Sequence, residues 1–383
     1  MTFRSFAAHL AAVPLLATPV LAESWPDLPV PLKNGFAAQI GESIYAGLGS
    51  AGQSVFRLDL ADRSAGWVEV ATFVGPAPNQ PATAVVDQQL YVFSGSGKSE
   101  PDAPAPIVFD TVYRYDPASN SWSQLATTAP AGLLGASAAA LTDGTIAIFG
   151  GYNKALFDSY LADITAIDRD TEPERWSQTV QDFMGMEPEA YRWNDLVLIY
   201  DPVANIWSTR GRNPDLPNTG AALVEIASDS FLLANGEIKP GLRTDVVKQV
   251  DLAKPEARWT HLPPLPSGDA SIRQEGVAGA FAGRIGESVI IAGGANFTGA
   301  RAAADSGRWF AHEGLPKSWA SDIFQYRNGT WSHAGVLPQG LAYGASLTLP
   351  EGILLIGGED NTQAARREVS LLTLAAGAAS LTP

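Results

Sequence analysis

The sequence predicts an all-β fold, a six-bladed β-propeller, and three observations predict it. With 37 Gly, 27 Pro, 10 Trp and only 17% charged residues, the composition suits many short strands joined by tight turns. A unit recurs along the chain: an apolar strand ending in a Gly pair, a variable loop, an aromatic strand, a turn and a Trp. The last copy lacks its Trp, and a Trp-containing segment at the other end of the chain offers itself in exchange.

Taken in order, the chain opens as a targeting segment. Arg4 precedes a mostly apolar stretch from Phe6 to Leu21, and Val20-Leu21-Ala22 suits a signal-peptidase site. Residues 1–22 are therefore expected to be a signal peptide, and 23–383 the propeller. No later run approaches the length of a membrane-spanning helix.

The first unit is weak, with Ile44 to Gly49, Phe56 to Asp59 and Trp67. The second is clear: Leu90-Tyr-Val-Phe-Ser-Gly95, Val112-Tyr-Arg-Tyr-Asp-Pro117, then Trp122. Units three to five repeat it, with Gly150-Gly151, Tyr200-Asp-Pro202 and Trp207, then Asn235-Gly236 and Trp259, then Gly293-Gly294 and Trp331. The sixth has Gly357-Gly358 and a strand from Glu368 to Leu374, but no Trp. Trp25-Pro-Asp-Leu-Pro29 parallels Trp259-Thr-His-Leu-Pro263, so an N-terminal strand is expected to complete the last blade and close the ring, leaving only short edges. The double Gly, the Tyr-Asp-Pro step and the spaced Trp resemble the kelch repeat, which implies a kelch-type propeller. Each blade is too thin to bury its faces alone, so the repeated Trp and Tyr are packing residues first.

Two insertions interrupt the repeat, at about 152–194 and 296–320. The first carries Thr171-Glu-Pro-Glu174, a capping box, followed by Trp176, Val180, Phe183 and Met184 at helical spacing. That apolar stripe is expected to pack on the propeller or on a second subunit, which leaves a homodimer open. The second insertion carries Arg301, His312, Glu313 and Lys317, and long loops on a propeller lie at its faces.

Much chemistry is excluded by what the chain lacks. It has no Cys, so thiolate catalysis, disulfides and thiolate metal sites are out. Its four His residues have no partners at ligand spacing, so no metal is expected. The Gly pairs lack the strand-to-helix setting of a nucleotide fingerprint, and no Gly-x-Ser-x-Gly elbow appears. A formal charge of −15 argues against nucleic acid and anionic membrane surfaces. Cofactor-free acid/base chemistry remains, and an anionic small molecule would need a local basic pocket.

One stretch fits. Asn235-Gly-Glu-Ile-Lys-Pro-Gly-Leu-Arg-Thr-Asp245 leaves an apolar strand, turns at Pro240-Gly241, and brings Glu237 and Arg243 within reach of each other. The pair reads as a surface ion pair or as a proton-transfer carboxylate beside an anion-binding guanidinium.

This stretch resembles the signature of the bacterial periplasmic N-acetylneuraminate epimerases, the sialic acid mutarotases. So do Gly47-Leu-Gly-Ser-Ala-Gly52, Gly276-Val-Ala-Gly279, Ala311-His-Glu-Gly-Leu315 and Ala342-Tyr-Gly344. The resemblance implies a periplasmic, cofactor-free isomerase converting α-N-acetylneuraminate to its β-anomer. It implies Glu237 as proton acceptor and Arg243 close to the substrate. Arg301, Lys317 and Tyr343 are the further candidates for binding the acidic sugar. The competing readings are a sialidase-like hydrolase, of whose repeated boxes only Asn328-Gly-Thr-Trp331 is a faint trace, and a non-catalytic kelch module that binds an acidic sugar or protein.

Overall fold

The computed structural model describes residues 24–383; the expected signal peptide lies outside the described residues. Those residues form six four-stranded antiparallel sheets, at 36–69, 82–128, 137–212, 222–262, 281–336 and 345–382. The first strand of each sheet contacts the first strand of the next, and the sixth contacts the first, so the sheets stand as blades around an axis. The second strands, such as Ile146–Phe149 and Ser288–Ala292, are buried throughout. Sandwiched between neighbouring blades, they read as unbroken apolar runs rather than alternating ones.

The repeat motif has a physical reason at each step. In blades two and three, Asp116 and Asp201 accept backbone N–H bonds from Ala118 and Val203, both at 2.9 Å, forming Asx turns. The Tyr115 and Tyr200 hydroxyls each donate to a turn Asn, Asn120 and Asn205, at 2.7 Å. The Trp that follows crosses to the preceding blade. Trp122 donates to the Ala71 carbonyl at 2.9 Å and Trp331 to that of Pro263 at 2.8 Å.

Ring closure differs in kind from the expectation. The fourth strand of blade six is the chain's own C-terminal strand, Ala378–Thr382, paired with Ala365–Ala375. A two-residue turn at Ala376-Gly377, with φ of 52° and 83°, makes that hairpin. Its small, aromatic-free residues concealed it in the sequence. The N-terminal segment instead bonds across the start of the long blade-six strand: Leu28 N–H to Arg367 O at 2.9 Å and Leu32 N–H to Arg366 O at 2.8 Å. Trp67 of blade one donates to Pro26 O at 2.8 Å, as Trp122 and Trp331 do to backbone before their own blades. Trp25, Leu28 and Leu32 are buried in one cluster with residues of blades one and six. The segment therefore seals the seam without being the missing strand.

Around the axis runs a closed circle of six backbone hydrogen bonds. Asn34 N–H donates to Tyr343 O, Tyr343 to Gly279, Gly279 to Gly220, Gly220 to Gly135, Gly135 to Gln80 and Gln80 to Asn34, at 2.7–3.1 Å. All six residues have φ between 54° and 70°. The three glycines adopt this without strain, whereas Asn34, Gln80 and above all Tyr343 accept strain there.

The first insertion holds two helices, α1 (Lys154–Ala166) and α2 (Pro173–Met184). The capping box does not form; Glu172 is the N-cap, without a side-chain bond, and Pro173 occupies the first helical turn. Phe183 of α2 stacks on Tyr160 of α1 with ring centroids 3.8 Å apart and meets Tyr191 edge-on. Phe183 and Met184 of the stripe are thus engaged inside the insertion. The second insertion carries a short helix, α3 (Ala300–Asp305).

Candidate active site

Each Gly pair places two successive residues at positive φ, including Leu48, Ser94 and Asn235 where the first is not Gly. This kink re-aims the chain at the strand exit. The residue that follows reaches the axial end in blades three, four and six: Tyr152, Glu237 and Glu359 all line one cavity of about 420 Å³. Asn34, Gln80, Gly135, Gly220, Gly279 and Tyr343 of the hydrogen-bonded circle also line it, with Lys317 from the second insertion.

Glu237 opens a small hairpin, Glu237–Lys239 paired with Leu242–Arg243, in which Glu237 sits opposite Arg243. The Pro240-Gly241 turn does what the sequence suggested. Gly241 has φ of 80°, and a Cβ there would stand 1.7 Å from His312 Nδ1, so no other residue fits without displacing that ring. Both Glu237 oxygens are engaged. Oε1 lies 2.8 Å from Arg243 Nη1 and accepts the Gly241 N–H at 3.2 Å, and Oε2 accepts the Tyr152 hydroxyl at 3.1 Å. A carboxylate oxygen can accept two bonds, so Oε2 keeps a lone pair for a ligand.

The hairpin is anchored from beneath. Lys239 is wholly buried and donates to Met184 O of α2 at 2.6 Å and to Trp309 O of the second insertion. One ammonium thus ties both insertions to the hairpin that carries Glu237. Burial pushes the Lys239 ammonium down to about 8, against the opposing pull of Glu237. His312 is held between Phe297 and Phe310, and burial pushes its imidazole down to about 4.

The expected site residues separate into two groups. Glu237, Lys317 and Tyr343 line the cavity. Arg243 does not; it is 4% exposed and lies behind Glu237 and Tyr343. Its Nε donates to Ala295 O at 3.2 Å and its Nη2 to the Tyr343 hydroxyl at 3.1 Å. Arg301 is further out, paired with Asp245 at 3.1 Å, and is not brought to the cavity. Burial raises the Tyr343 and Tyr152 phenols, Tyr152 well above the usual range, with Glu237 adding to the rise. Both stay protonated donors near neutrality.

Tyr152 and Glu359 were missed in the sequence, although each directly follows a Gly pair, which is the signal that could have found them. Lys33, which pairs with Glu359, carries no local signal at all. Among the described residues, no cluster of His, Asp and Glu is arranged to hold a metal ion.

Fold and site together define a kelch-type propeller with a carboxylate-centred pocket built for acid/base work on a small polar ligand. Residues 25–379 match the family model for N-acetylneuraminate epimerase. The chain is 54% identical over 351 residues to the N-acetylneuraminate epimerase of Brucella melitensis, covering 92% of this chain and 90% of that one. It is 46% identical over 366 residues to that of Vibrio cholerae, covering 95% of each. The solved structure of YjhT superposes with a TM-score of 0.88 at 36% identity, over 94% of this chain and 99% of that one. The chain belongs to the N-acetylneuraminate epimerase family.

Proposed function

We propose that this protein is a mutarotase that interconverts the α- and β-anomers of N-acetylneuraminate. The observation that carries the reading is Glu237, a carboxylate at the cavity wall whose position is fixed by two hydrogen bonds and an ion pair with Arg243 while one lone pair stays open. Mutarotation of a ketose needs little more. The base takes the proton of the anomeric hydroxyl, the freed electron pair forms the C=O, and the bond to the ring oxygen breaks. That oxygen takes up the proton, the open-chain ketone turns, and the steps run in reverse on its other face. One carboxylate within reach of both oxygens serves as acceptor and donor. Tyr152, donating to Glu237, holds the carboxylate in place and stays uncharged.

Export to the periplasm is part of the proposal and rests on the charged, apolar and small-residue pattern of residues 1–22. The test is an NMR time course on freshly released α-N-acetylneuraminate. Accelerated anomer exchange without bond cleavage supports the reading. Cleavage of a sialoside would favour a hydrolase, and saturable binding without exchange a lectin-like module.

A further inference from the structure

Two blades on from Glu237, the cavity wall holds a second carboxylate that the proposed chemistry does not use. Glu359 is 5% exposed. Its Oε2 pairs with Lys33 Nζ at 2.6 Å, and its Oε1 with Lys317 Nζ at 2.6 Å and Trp319 Nε1 at 3.1 Å. Burial pushes its carboxyl up, but the bonds from Lys317 and Lys33 outweigh this and hold it below the ordinary range. Lys317 Nζ also stands 4.3 Å from the Tyr343 ring centroid and 4.8 Å from that of Trp319.

Counted together with their ion-pair partners, the charged residues of the cavity lining do not cancel. Arg243, Lys33 and Lys317 pair with Glu237 and Glu359, leaving one positive charge over in a chain whose formal charge is −15. Arg243 is not placed to offer that charge to a ligand: its Nε and Nη2 donate to Ala295 O and the Tyr343 hydroxyl, its Nη1 is ion-paired with Glu237, and it does not line the cavity. Lys317 is. Its side chain is 25% exposed, it lines the cavity, and an ammonium has three donors, of which Glu359 takes one.

We infer that Lys317, fixed by Glu359 and backed by Lys33, is the subsite that binds the carboxylate of a monoanionic sugar acid, and that Arg243 is a positioning residue for Glu237. Glu359 holds two mutually repelling ammonium groups in one geometry before the ligand arrives, removing much of the rotamer freedom that a lysine otherwise loses on binding. The aromatic faces of Tyr343 and Trp319 fix the approach. This rests on the mutarotase reading, since the substrate's carboxylate sits on the reacting carbon.

The experiment compares anomer exchange of N-acetylneuraminate with that of its uncharged methyl ester, in wild type, Lys317→Met, Lys317→Arg and Glu359→Gln, each checked by a melting curve. Lys317→Met is expected to raise KM for the acid by roughly 10–100-fold with kcat within a few-fold, as for loss of one hydrogen bond to a charged group. Its KM for the ester should match that of wild type. Lys317→Arg should restore most of the affinity for the acid, and it decides the question if the Met variant does not fold. Glu359→Gln, which keeps one acceptor but loosens the two ammonium groups, should raise KM for the acid by less than Lys317→Met does, with kcat within a few-fold. Unchanged KM for the acid in Lys317→Met overturns the subsite. A kcat loss of about 100-fold in Glu359→Gln overturns it too, making Glu359 a proton-transfer group. If wild type exchanges neither compound, the mutarotase reading itself fails.

Discussion

Glu237 and Glu359 occupy the same position in two blades of one ring. Each follows a Gly pair, and each exchanges two backbone hydrogen bonds with the residue just before a member of the axial circle: Glu237 with Thr219, and Glu359 with Ala342. Their backbones are equivalent and their partners are not. Glu237 meets a guanidinium that is itself buried, whereas Glu359 meets two ammonium groups that are each about a quarter exposed. One repeated device thus yields a carboxylate with an open lone pair in blade four and a cation holder in blade six.

The placement of Arg243 predicts how its replacement will behave. Arg243→Lys keeps the charge but cannot reach Ala295 O, the Tyr343 hydroxyl and Glu237 together, because an ammonium lacks the planar fork. Acting through Glu237 rather than on the ligand, the substitution should lower kcat about tenfold or more, with KM changed less than threefold. Steady-state rates of anomer exchange check it. A rise in KM at constant kcat would put Arg243 in contact with the substrate instead.

His312 gives a pH dependence whose sign is fixed. Its folded value of about 4 lies below the unfolded value of 6.5, so between those limits the unfolded chain binds more protons. Stability should therefore fall as pH drops from 6.5 towards 4. Glu237, Lys239, Arg243 and Glu313 act on the same ring. Glu359 acts in the same sense, but only below the ordinary Glu range of about 4.5. Melting temperatures of wild type and His312→Phe across pH 4–7 check this. The variant should lose much of the slope above pH 4.5, and an identical slope would assign it elsewhere.

The seam between the last and first blades predicts the outcome of a truncation. Removing residues 25–31 deletes two of the buried side chains there, Trp25 and Leu28, each contributing roughly 1.5–3 kcal/mol by burial. It also removes the acceptor of the Trp67 indole and the Leu28 bond to Arg367. A lower melting temperature is expected, and light scattering should show aggregation as the seam opens. An unchanged melt with a monodisperse product would mean that the C-terminal hairpin alone completes the ring.

How far the sequence reached follows from where its signals were local. The Gly pairs, Tyr-Asp-Pro turns and Trp residues each have a short-range cause, so the blades were readable from them. The Glu237–Arg243 pair was readable because a Pro-Gly turn of fixed geometry joins the two. The C-terminal strand was not, because Ala376-Gly377 lies among small residues without aromatic punctuation. Lys33 and Glu359 are 326 residues apart and meet only when the ring closes, so no spacing announces them. Arg301 was named for its charge alone, and its pairing with Asp245, outside the cavity lining, is a contact that no local spacing announced.

Glu237→Gln is the decisive substitution. The carboxylate receives N–H and O–H donors at both oxygens, so an amide must place its oxygen towards Gly241 and Arg243, whose N–H groups can only donate. Its NH2 then faces Tyr152, whose hydroxyl can turn and accept. The side chain therefore stays in place without a steric cause for misfolding. Arg243, 4% exposed, loses its countercharge but keeps Ala295 O and the Tyr343 hydroxyl, so the melting temperature should drop without collapse. What the amide cannot do is take the anomeric proton. Turnover should fall by roughly 10²–10⁴-fold, the usual contribution of a general acid–base group, while KM stays within a few-fold. Anomer exchange followed by NMR well below the variant's own melting temperature, expressed per folded molecule, separates the two effects. Near-normal exchange under those conditions would remove Glu237 from the reaction and leave its pairing with Arg243 as architecture.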